Sequence, residues 1–193
     1  MLRREYRVRE NEFVLGILSR KKPDRLHKNL IHAMKKISFM ENLYLFVVGR
    51  GESKIEIETL VKDLGIDSKV KFLGYRTEDL AEVFASFDAH VLLAEGNDGT
   101  CRAFLQAMAS GNALLSPKIG ALGEANIEGV TGYHFNSNNS DSIASAIQKI
   151  FSNSLLNEFK QNARNRAVSH YYQDKPFLET KKIYLNIITG QTQ

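Results

Sequence analysis

Short runs of apolar residues recur along the chain, and most are followed by a longer stretch whose apolar residues repeat with a helical period. The apolar runs, each bounded by turns, predict buried strands at residues 13–18, 43–48, 69–73, 89–94, 113–116 and 133–135. Helices are predicted at residues 26–37, 54–64, 78–87, 141–151, 155–168 and 176–188, with another between Asp98 and Gly111. Alternating strands and helices of this kind predict an α/β fold: one doubly wound, Rossmann-like domain around a parallel six-stranded sheet.

Two stretches depart from this alternation. Residues 1–12 are charged and aperiodic, which predicts a linker or N-terminal arm ahead of a domain that spans residues 13–193. Residues 120–123 are rich in glycine and predict a loop, with a short helix from Glu124. Ligands of a doubly wound sheet bind outside the carboxyl ends of its strands, so we expect the functional residues in the loops there.

One such loop and its helix, residues 95–111, organise the expected site. Asp98 stands where a helix N-cap would be, and Gly111 where a C′ glycine would be. Arg102 and Gln106, four residues apart, share a polar face of the helix. The opposite, apolar face carries Cys101, Phe104, Leu105 and Met108. The N–H groups and partial positive charge at the start of such a helix suit an anionic ligand.

Composition narrows the class only slightly. The chain has 193 residues, of which 43% are apolar and 25% charged, as in ordinary globular proteins. A net charge of +4 indicates solvated surface lysines first, an anionic ligand or membrane surface second, and nucleic acid a distant third. No apolar run approaches membrane-spanning length, and the N-terminus does not resemble a secretory signal. The single cysteine excludes an internal disulfide and fits a reducing cytosol.

Six motifs occur in an order that carries a family resemblance. They are Gly16-Ile-Leu-Ser-Arg20 with Arg25, Val48-Gly-Arg-Gly51, Val70-Lys-Phe-Leu-Gly-Tyr75, the stretch from Asp98 to Ala109, the stretch from Gly120 to Glu124, and Gly129-Val-Thr-Gly132. Together they resemble the C-terminal, donor-binding domain of a group 1 (family 4) glycosyltransferase with the GT-B fold. The resemblance runs from about Phe13 to the end of the chain.

The resemblance implies a nucleoside diphosphate sugar as donor and no metal cofactor. It assigns Arg20 and Arg25 to the diphosphate, and a guanidinium suits this role because its donors form a fork that cannot lose its charge. Lys22 or Lys28 could replace Arg25, where the family has a lysine. Judged without the resemblance, this stretch is simply a solvated basic loop.

Two further positions depart from the family pattern, which has a pair of glutamates. Asp98 matches the first, which contacts the donor sugar near the reacting carbon, so it is the predicted catalytic residue; its alternative is an ordinary N-cap. Glu95 competes for this role but stands three residues early. Gln106 matches the second glutamate, which accepts from the ribose hydroxyls; an amide does so without charge assistance, and its alternative is a solvent-facing side chain. Arg102 is expected to be structural.

The remaining predicted contacts involve the backbone and the nucleobase. The N–H groups of Gly99, Thr100 and Cys101 are expected to bind the β-phosphate, with the Thr100 hydroxyl in addition. Gly74 and Tyr75 match positions near the nucleobase. The Cys101 thiol is expected to be a small buried group rather than a nucleophile. Glu124 is expected to cap a helix and hold the glycine loop. The five histidines show no metal-binding spacing.

The resemblance therefore predicts a sugar transferase, retaining by family analogy, with cell-envelope or polysaccharide biosynthesis as its setting. This chain would supply the donor-binding half, while an N-terminal acceptor-binding domain, with any peripheral membrane contact, is expected to be absent from it. The isolated chain should then bind nucleotide but turn over little. The alternative is a non-catalytic nucleotide-binding or regulatory module of the same fold, which the glutamine at position 106 favours.

Overall fold

A computed structural model describes residues 2–94, 98–171 and 174–189. Within them lies a six-stranded sheet in the order β3-β2-β1-β4-β5-β6, all of whose neighbouring strands are parallel. The strands are β1 Phe13–Leu18, β2 Leu43–Val48, β3 Val70–Gly74, β4 Ala89–Val91, β5 Ala113–Ser116 and β6 Gly132–His134. The predicted doubly wound α/β fold is confirmed, and the order in which strands are added to the sheet reverses between β1 and β4.

Helices cover both faces of the sheet. They are α1 Leu2–Glu5, α2 His27–Lys36, α3 Lys54–Asp63, α4 Leu80–Ala85, α5 Asp98–Ala109, α6 Gly120–Ala125, α7 Ser140–Phe151, α8 Leu156–Tyr171 and α9 Asp174–Thr189, with a 3-10 turn at Pro23–Arg25. No helix of the described residues is both long and apolar enough to cross a bilayer.

The side chains of β1 alternate between two apolar clusters because successive residues of a strand point to opposite faces. Leu15 and Ile17 are fully buried in the cluster under α2, α3 and α7. Val14 is buried in the cluster with α4 and part of α5. Gly16 lies on that second face, where an added Cβ would fall 2.1 Å from the ring of Phe87. A glycine at this position therefore lets the Phe87 ring pack directly on the strand.

The N-terminal arm packs onto this domain. Residues of the expected arm form α1, and Leu2 and Val8 are buried in the second cluster. The Arg3 side chain donates to the backbone carbonyls of Ser86 at 2.9 Å and Glu12 at 2.8 Å. The charged, aperiodic sequence gave no sign of these contacts, because so short a helix is stabilised by its packing rather than by its own sequence.

The loop predicted at residues 120–123 is wrong: Gly120–Ala125 is helix α6. Glycine lowers helix propensity by about 1 kcal/mol per residue. Burial overrides this preference, because Leu122 and Ala125 pack in a cluster with Phe104 and Met108 of α5. Glu124 lies inside α6 and is exposed, so its expected role as a helix cap is also wrong.

Helix α5 ends as predicted. Gly111 has φ +76°, its N–H donates to the carbonyl of Met108, and the N–H of Asn112 donates to Ala107. This pair of bonds is a Schellman motif, which a left-handed glycine allows without strain. At the other end α5 begins at Asp98, so Asp98 is its first helical residue rather than the residue before it.

Candidate functional site

A pocket of about 620 Å³ opens at the carboxyl ends of β1, β2 and β3. Three loops form its wall, one after each of these strands. The described lining residues are Leu18, Ser19, Arg20, Lys22, Arg25, Val48, Gly49, Arg50, Gly51, Tyr75 and Arg76. The pocket is therefore where a doubly wound sheet places its ligand.

Five of these lining residues are cations, and none of the described lining residues is acidic. Arg76 lies 3.4 Å from the Asp79 carboxylate and 3.8 Å from Glu5, and Arg25 lies 3.6 Å from Asp24.

The other three cations form no ion pair with an acidic side chain of the described residues. Arg20, Lys22 and Arg50 are exposed and form no salt bridge within the described part of the chain. Like charges held together in a concave surface attract an anion and raise its local concentration. The electrostatics of the pocket thus favour a multiply charged anion.

Close backbone contacts join the first two loops of the pocket. The N–H of Ser19 donates to Val48 at 3.1 Å, the N–H of Lys21 to Arg50 at 3.0 Å, and the N–H of Ser53 to Lys21 at 3.0 Å. Gly49, with φ +128°, allows this approach, since a Cβ there would fall 2.1 Å from the Ser19 carbonyl oxygen. These hydrogen bonds and the close approach at Gly49 hold the two loops together.

Tyr75 forms the far wall of the pocket. Its side chain is 57% exposed, and the Arg50 guanidinium lies 4.3 Å from the centre of its ring. Arginine over an aromatic face is a favourable contact. The exposed part of the ring, its open face, is accessible for stacking. Gly74, directly before Tyr75, ends β3 with φ +73° and is exposed.

Two basic side chains are buried behind the pocket. Burial, with the charges of Lys21 and Arg25, lowers the pKa of His27 to about 4, so its imidazole is neutral. His27 Nε2 lies 3.0 Å from the Ser19 hydroxyl, and its Nδ1 has no partner among the described residues. Lys21 is 1% exposed, and burial lowers its pKa to about 8.

A third buried basic residue, His90, lies where β1 and β4 separate. The Leu18 N–H donates to His90 Nε2 at 3.4 Å, where the two strands no longer pair. The ring packs against Phe84, Phe87 and Phe104, and its burial lowers the pKa of His90 to about 3. His90 is thus a neutral part of the core, and β4 ends at Val91 rather than at the predicted residue 94.

The structure brings together one group of the predicted site residues. Arg20, Arg25 and Tyr75 line the same pocket, with Gly74 beside them. Of the two lysines considered as substitutes for Arg25, Lys22 lies in the pocket, whereas Lys28 pairs with Glu56 on α3.

The other group belongs to α5, which is only partly described. The backbone of Asp98, Gly99 and Thr100 forms its first turn; their side chains, and all of Glu95, lie outside the described residues. Cys101 is half-buried and its thiol is free. Arg102 and Gln106 are exposed, and neither is among the described lining residues of the pocket. The roles assigned to Asp98 and Gln106 stay predictions.

Sequence reasoning missed three basic residues of this region. Arg50 stands inside the Gly-Arg-Gly turn and Arg76 follows Tyr75, so their place in the motifs was a usable signal. Nothing in the sequence marked Lys21, because a lysine in a basic loop is ordinarily solvated. In the described residues, no group of three or more histidine, cysteine, aspartate or glutamate side chains is arranged to hold a metal ion.

Comparison with known proteins decides the family. The family model described as "Glycosyl transferases group 1" matches residues 2–166. The chain belongs to this family. It is 28% identical over 188 residues to the N-acetyl-alpha-D-glucosaminyl L-malate synthase of Bacillus anthracis, covering 97% of this chain and 49% of that protein. It is 25% identical to the lipopolysaccharide 1,2-N-acetylglucosaminetransferase of Salmonella typhimurium, covering 88% of this chain and 47% of that enzyme.

Solved structures agree on the fold. A glycosyltransferase from Rickettsia africae superposes with a TM-score of 0.83 at 19% identity, covering 97% of this chain and 51% of that one. The Anabaena protein HepE, solved in complex with UDP and glucose, gives a TM-score of 0.81 at 24% identity, covering 94% of this chain and 50% of that one. The chain spans about half the length of the curated relatives it matches.

Proposed function

We propose that this chain is the donor-binding half of a glycosyltransferase that takes its sugar from a nucleoside diphosphate sugar. The observation that carries the proposal is the pocket at the carboxyl ends of β1–β3, with three cations that no described acidic side chain neutralises. Its membership of the group 1 glycosyltransferases makes a diphosphate the fitting anion.

In the proposed complex, Arg20 and Arg25 bind the diphosphate and Tyr75 receives the nucleobase on its open face. A guanidinium can donate two parallel hydrogen bonds to phosphate oxygens, which fixes the ligand as well as neutralising it. With this charge in the protein, we propose that no metal is needed. The N–H groups at the start of α5, a helix of 12 residues, add donors for the phosphate.

The groups assigned to the sugar and ribose come from the family resemblance. Asp98 is proposed to contact the sugar near its reacting carbon, and Gln106 the ribose hydroxyls. Transfer is proposed to retain the anomeric configuration, as in the family.

We propose that the acceptor binds to a separate half of the protein. The relatives are about twice as long as this chain, which leaves room for such a half. Exposed apolar residues on α9, among them Ile183, Ile187 and Ile188, offer a surface for such a half. On this proposal the isolated chain binds nucleotide and transfers little sugar. A normal transfer rate to a defined acceptor by the isolated chain would contradict it.

The glutamine at position 106 favours a second candidate, a nucleotide-binding or regulatory module without catalysis. Both candidates need the pocket to bind nucleotide. They differ in transfer: joined to an acceptor-binding half, the catalytic candidate requires transfer that is lost in Asp98→Asn, and the module requires none in either protein.

Titration calorimetry with UDP, GDP and ADP tests the shared claim. We expect at least one nucleotide to bind the wild-type chain, and Arg20→Ala to raise its Kd by about tenfold or more, equivalent to about 1.4 kcal/mol. Arg4→Ala is the matched control, because Arg4 is also exposed but lines a different pocket, with Glu82 and Ser86. It should leave the Kd within about twofold. Failure of all three nucleotides to bind the wild-type chain contradicts both candidates.

A further inference from the structure

Lys21 is an unusual lysine because it is buried directly behind a basic pocket. Its side chain is 1% exposed, and its ammonium group donates to the carbonyl oxygen of Gly49. The ring of Phe72 lies 6.0 Å away. Burying an ammonium group is costly unless it is paired or hydrogen-bonded. This carbonyl is the one acceptor found for it in the described part of the chain.

The position of Lys21 links the two loops that form most of the pocket wall. In sequence it lies between Arg20 and Lys22, which both line the pocket, and its side chain reaches Gly49 in the second loop. Its backbone bonds Arg50 and Ser53 on the same loop. The side-chain bond therefore holds the Gly49 turn against the arginine-bearing loop from behind.

We propose that Lys21 is a positioning residue for the nucleotide pocket, and that its protonated form is required for tight binding, so that affinity falls in alkaline solution. This inference rests on the proposed function and adds a regulation by pH to the same site. Lys21 does not contact the ligand; it acts through the Gly49 carbonyl and by its charge behind the phosphate-binding loop.

The groups around Lys21 determine the pH range in which its side chain loses its proton. Burial has the largest effect on its pKa and lowers it to about 8; Glu58 on α3 opposes this, and Lys54 on α3 adds to it. His27 on α2 has a pKa lowered to about 4 and stays neutral throughout. The guanidinium of Arg20, the residue before Lys21, adds a positive charge.

The direction in which affinity changes with pH follows from the linkage between nucleotide binding and the protonation of Lys21. A bound diphosphate favours the ammonium form, so the pKa of Lys21 is higher in the complex than in the free protein. Affinity is then full below about pH 8, falls as the pH rises through the pKa of the free protein, and levels off above that of the complex. A neutral amine can still donate to Gly49, but a hydrogen bond without charge assistance is roughly half as strong.

If Lys21 served only to stabilise the fold, replacing it would weaken folding and nucleotide binding together. The expectation for a positioning residue is different. Because burial disfavours the charged form, Lys21 lowers the free energy of unfolding below about pH 8 through its desolvation. We expect Lys21→Met to keep the midpoint of thermal unfolding at or above that of wild type at pH 7 while nucleotide binding weakens. Stability and affinity should therefore move apart.

The test is calorimetric titration of UDP into the 193-residue wild-type chain, Lys21→Arg and Lys21→Met at pH 7, 8 and 9, at constant ionic strength. The wild-type Kd should rise by about threefold or more from pH 7 to pH 9. Lys21→Arg should lose this rise because its cation does not deprotonate, and Lys21→Met should bind weakly throughout. The titration of UDP itself is common to the three proteins, so the differences between their profiles isolate residue 21.

A wild-type profile with no rise in Kd overturns the inference without any variant. So does a wild-type rise that persists unchanged in Lys21→Met, or Lys21→Met that binds UDP as tightly as wild type at pH 7. Absence of UDP, GDP and ADP binding to wild type at pH 7 instead contradicts the proposed function itself.

Discussion

The two ends of the sheet differ in whether their charged side chains have partners of opposite charge. At the amino end Asp88, directly before β4, has a full set of partners: Arg3 at 2.7 Å, the Val14 N–H at 2.9 Å and Lys160 at 3.2 Å. At the carboxyl end Arg20 and Lys22 line a pocket and have no salt bridge in the described chain. The paired charges join three elements of the fold, whereas the unneutralised charges are available to a ligand.

This difference has a thermodynamic reason. Clustered like charges repel and lower the stability of the compact state. The pocket holds five cations and brings Arg50 onto Tyr75, where stacking stabilises its position without an acid. The anionic ligand proposed above would offset this repulsion and stabilise the folded state on binding.

The largest effect is expected at Gly49, which joins the loops of the carboxyl end. An alanine Cβ there would lie 2.1 Å from the Ser19 carbonyl oxygen, at a φ of +128° that side chains rarely adopt. We expect Gly49→Ala to lower the free energy of unfolding by about 3 kcal/mol or more and to abolish UDP binding. Urea denaturation and calorimetry measure the two effects.

Gly65→Ala is the control for Gly49→Ala. Gly65 has φ +64° but nothing within 4 Å of an added Cβ, so only the backbone strain of about 1 kcal/mol is expected. Equal losses of stability in the two variants would show that the close approach of the two loops is unimportant.

At the amino end, Asp88→Ala should affect stability alone. It leaves the Val14 N–H without its acceptor and the half-buried Arg3 guanidinium without its carboxylate partner, at a cost of about 2–3 kcal/mol. Arg20 and its pocket are at the opposite end of the strands, so the Kd for UDP should stay within about twofold. Chemical denaturation and UDP titration of the same sample separate the effects.

Glu56→Gln gives the matching surface comparison. Glu56 and its partner Lys28 are each 53% exposed, so losing this pair should cost below about 0.5 kcal/mol. If Asp88→Ala cost no more than Glu56→Gln, the amino-end network would not be a determinant of the fold.

The smallest effect is expected at Gln106. If this exposed residue reads the ribose, Gln106→Glu should tighten UDP binding by about twofold to fivefold, because a carboxylate is the stronger acceptor. Gln161→Glu makes the same charge change on the exposed surface of α8 and should leave the Kd unchanged. Unchanged or weaker binding in Gln106→Glu would remove Gln106 from the ribose site.

Much of the fold was predictable because its strands are buried on both faces. β1, β2 and β5 have the predicted bounds, since continuous apolar runs leave little freedom in placing them. Helix α6 and the arm with α1 were not predictable, because their burial depends on neighbours distant in sequence, such as Met108 for α6. Local propensity is a weak guide where such contacts decide.

Contacts between residues distant in sequence also limited how much of the site could be predicted. Arg20 and Arg25 were found through a motif, and the fold then placed them beside Tyr75. The buried Lys21 was not predictable, because its solvent exposure depends on where the Gly49 carbonyl lies in three dimensions.

The most direct test of the account is a crystal structure of the 193-residue chain with UDP. We predict that the diphosphate lies within hydrogen-bonding distance of the Arg20 guanidinium and that the uracil rests on the open face of Tyr75. A diphosphate bound at the amino end beside Arg3 and Lys160, or elsewhere away from the loops after β1 and β2, would contradict the account.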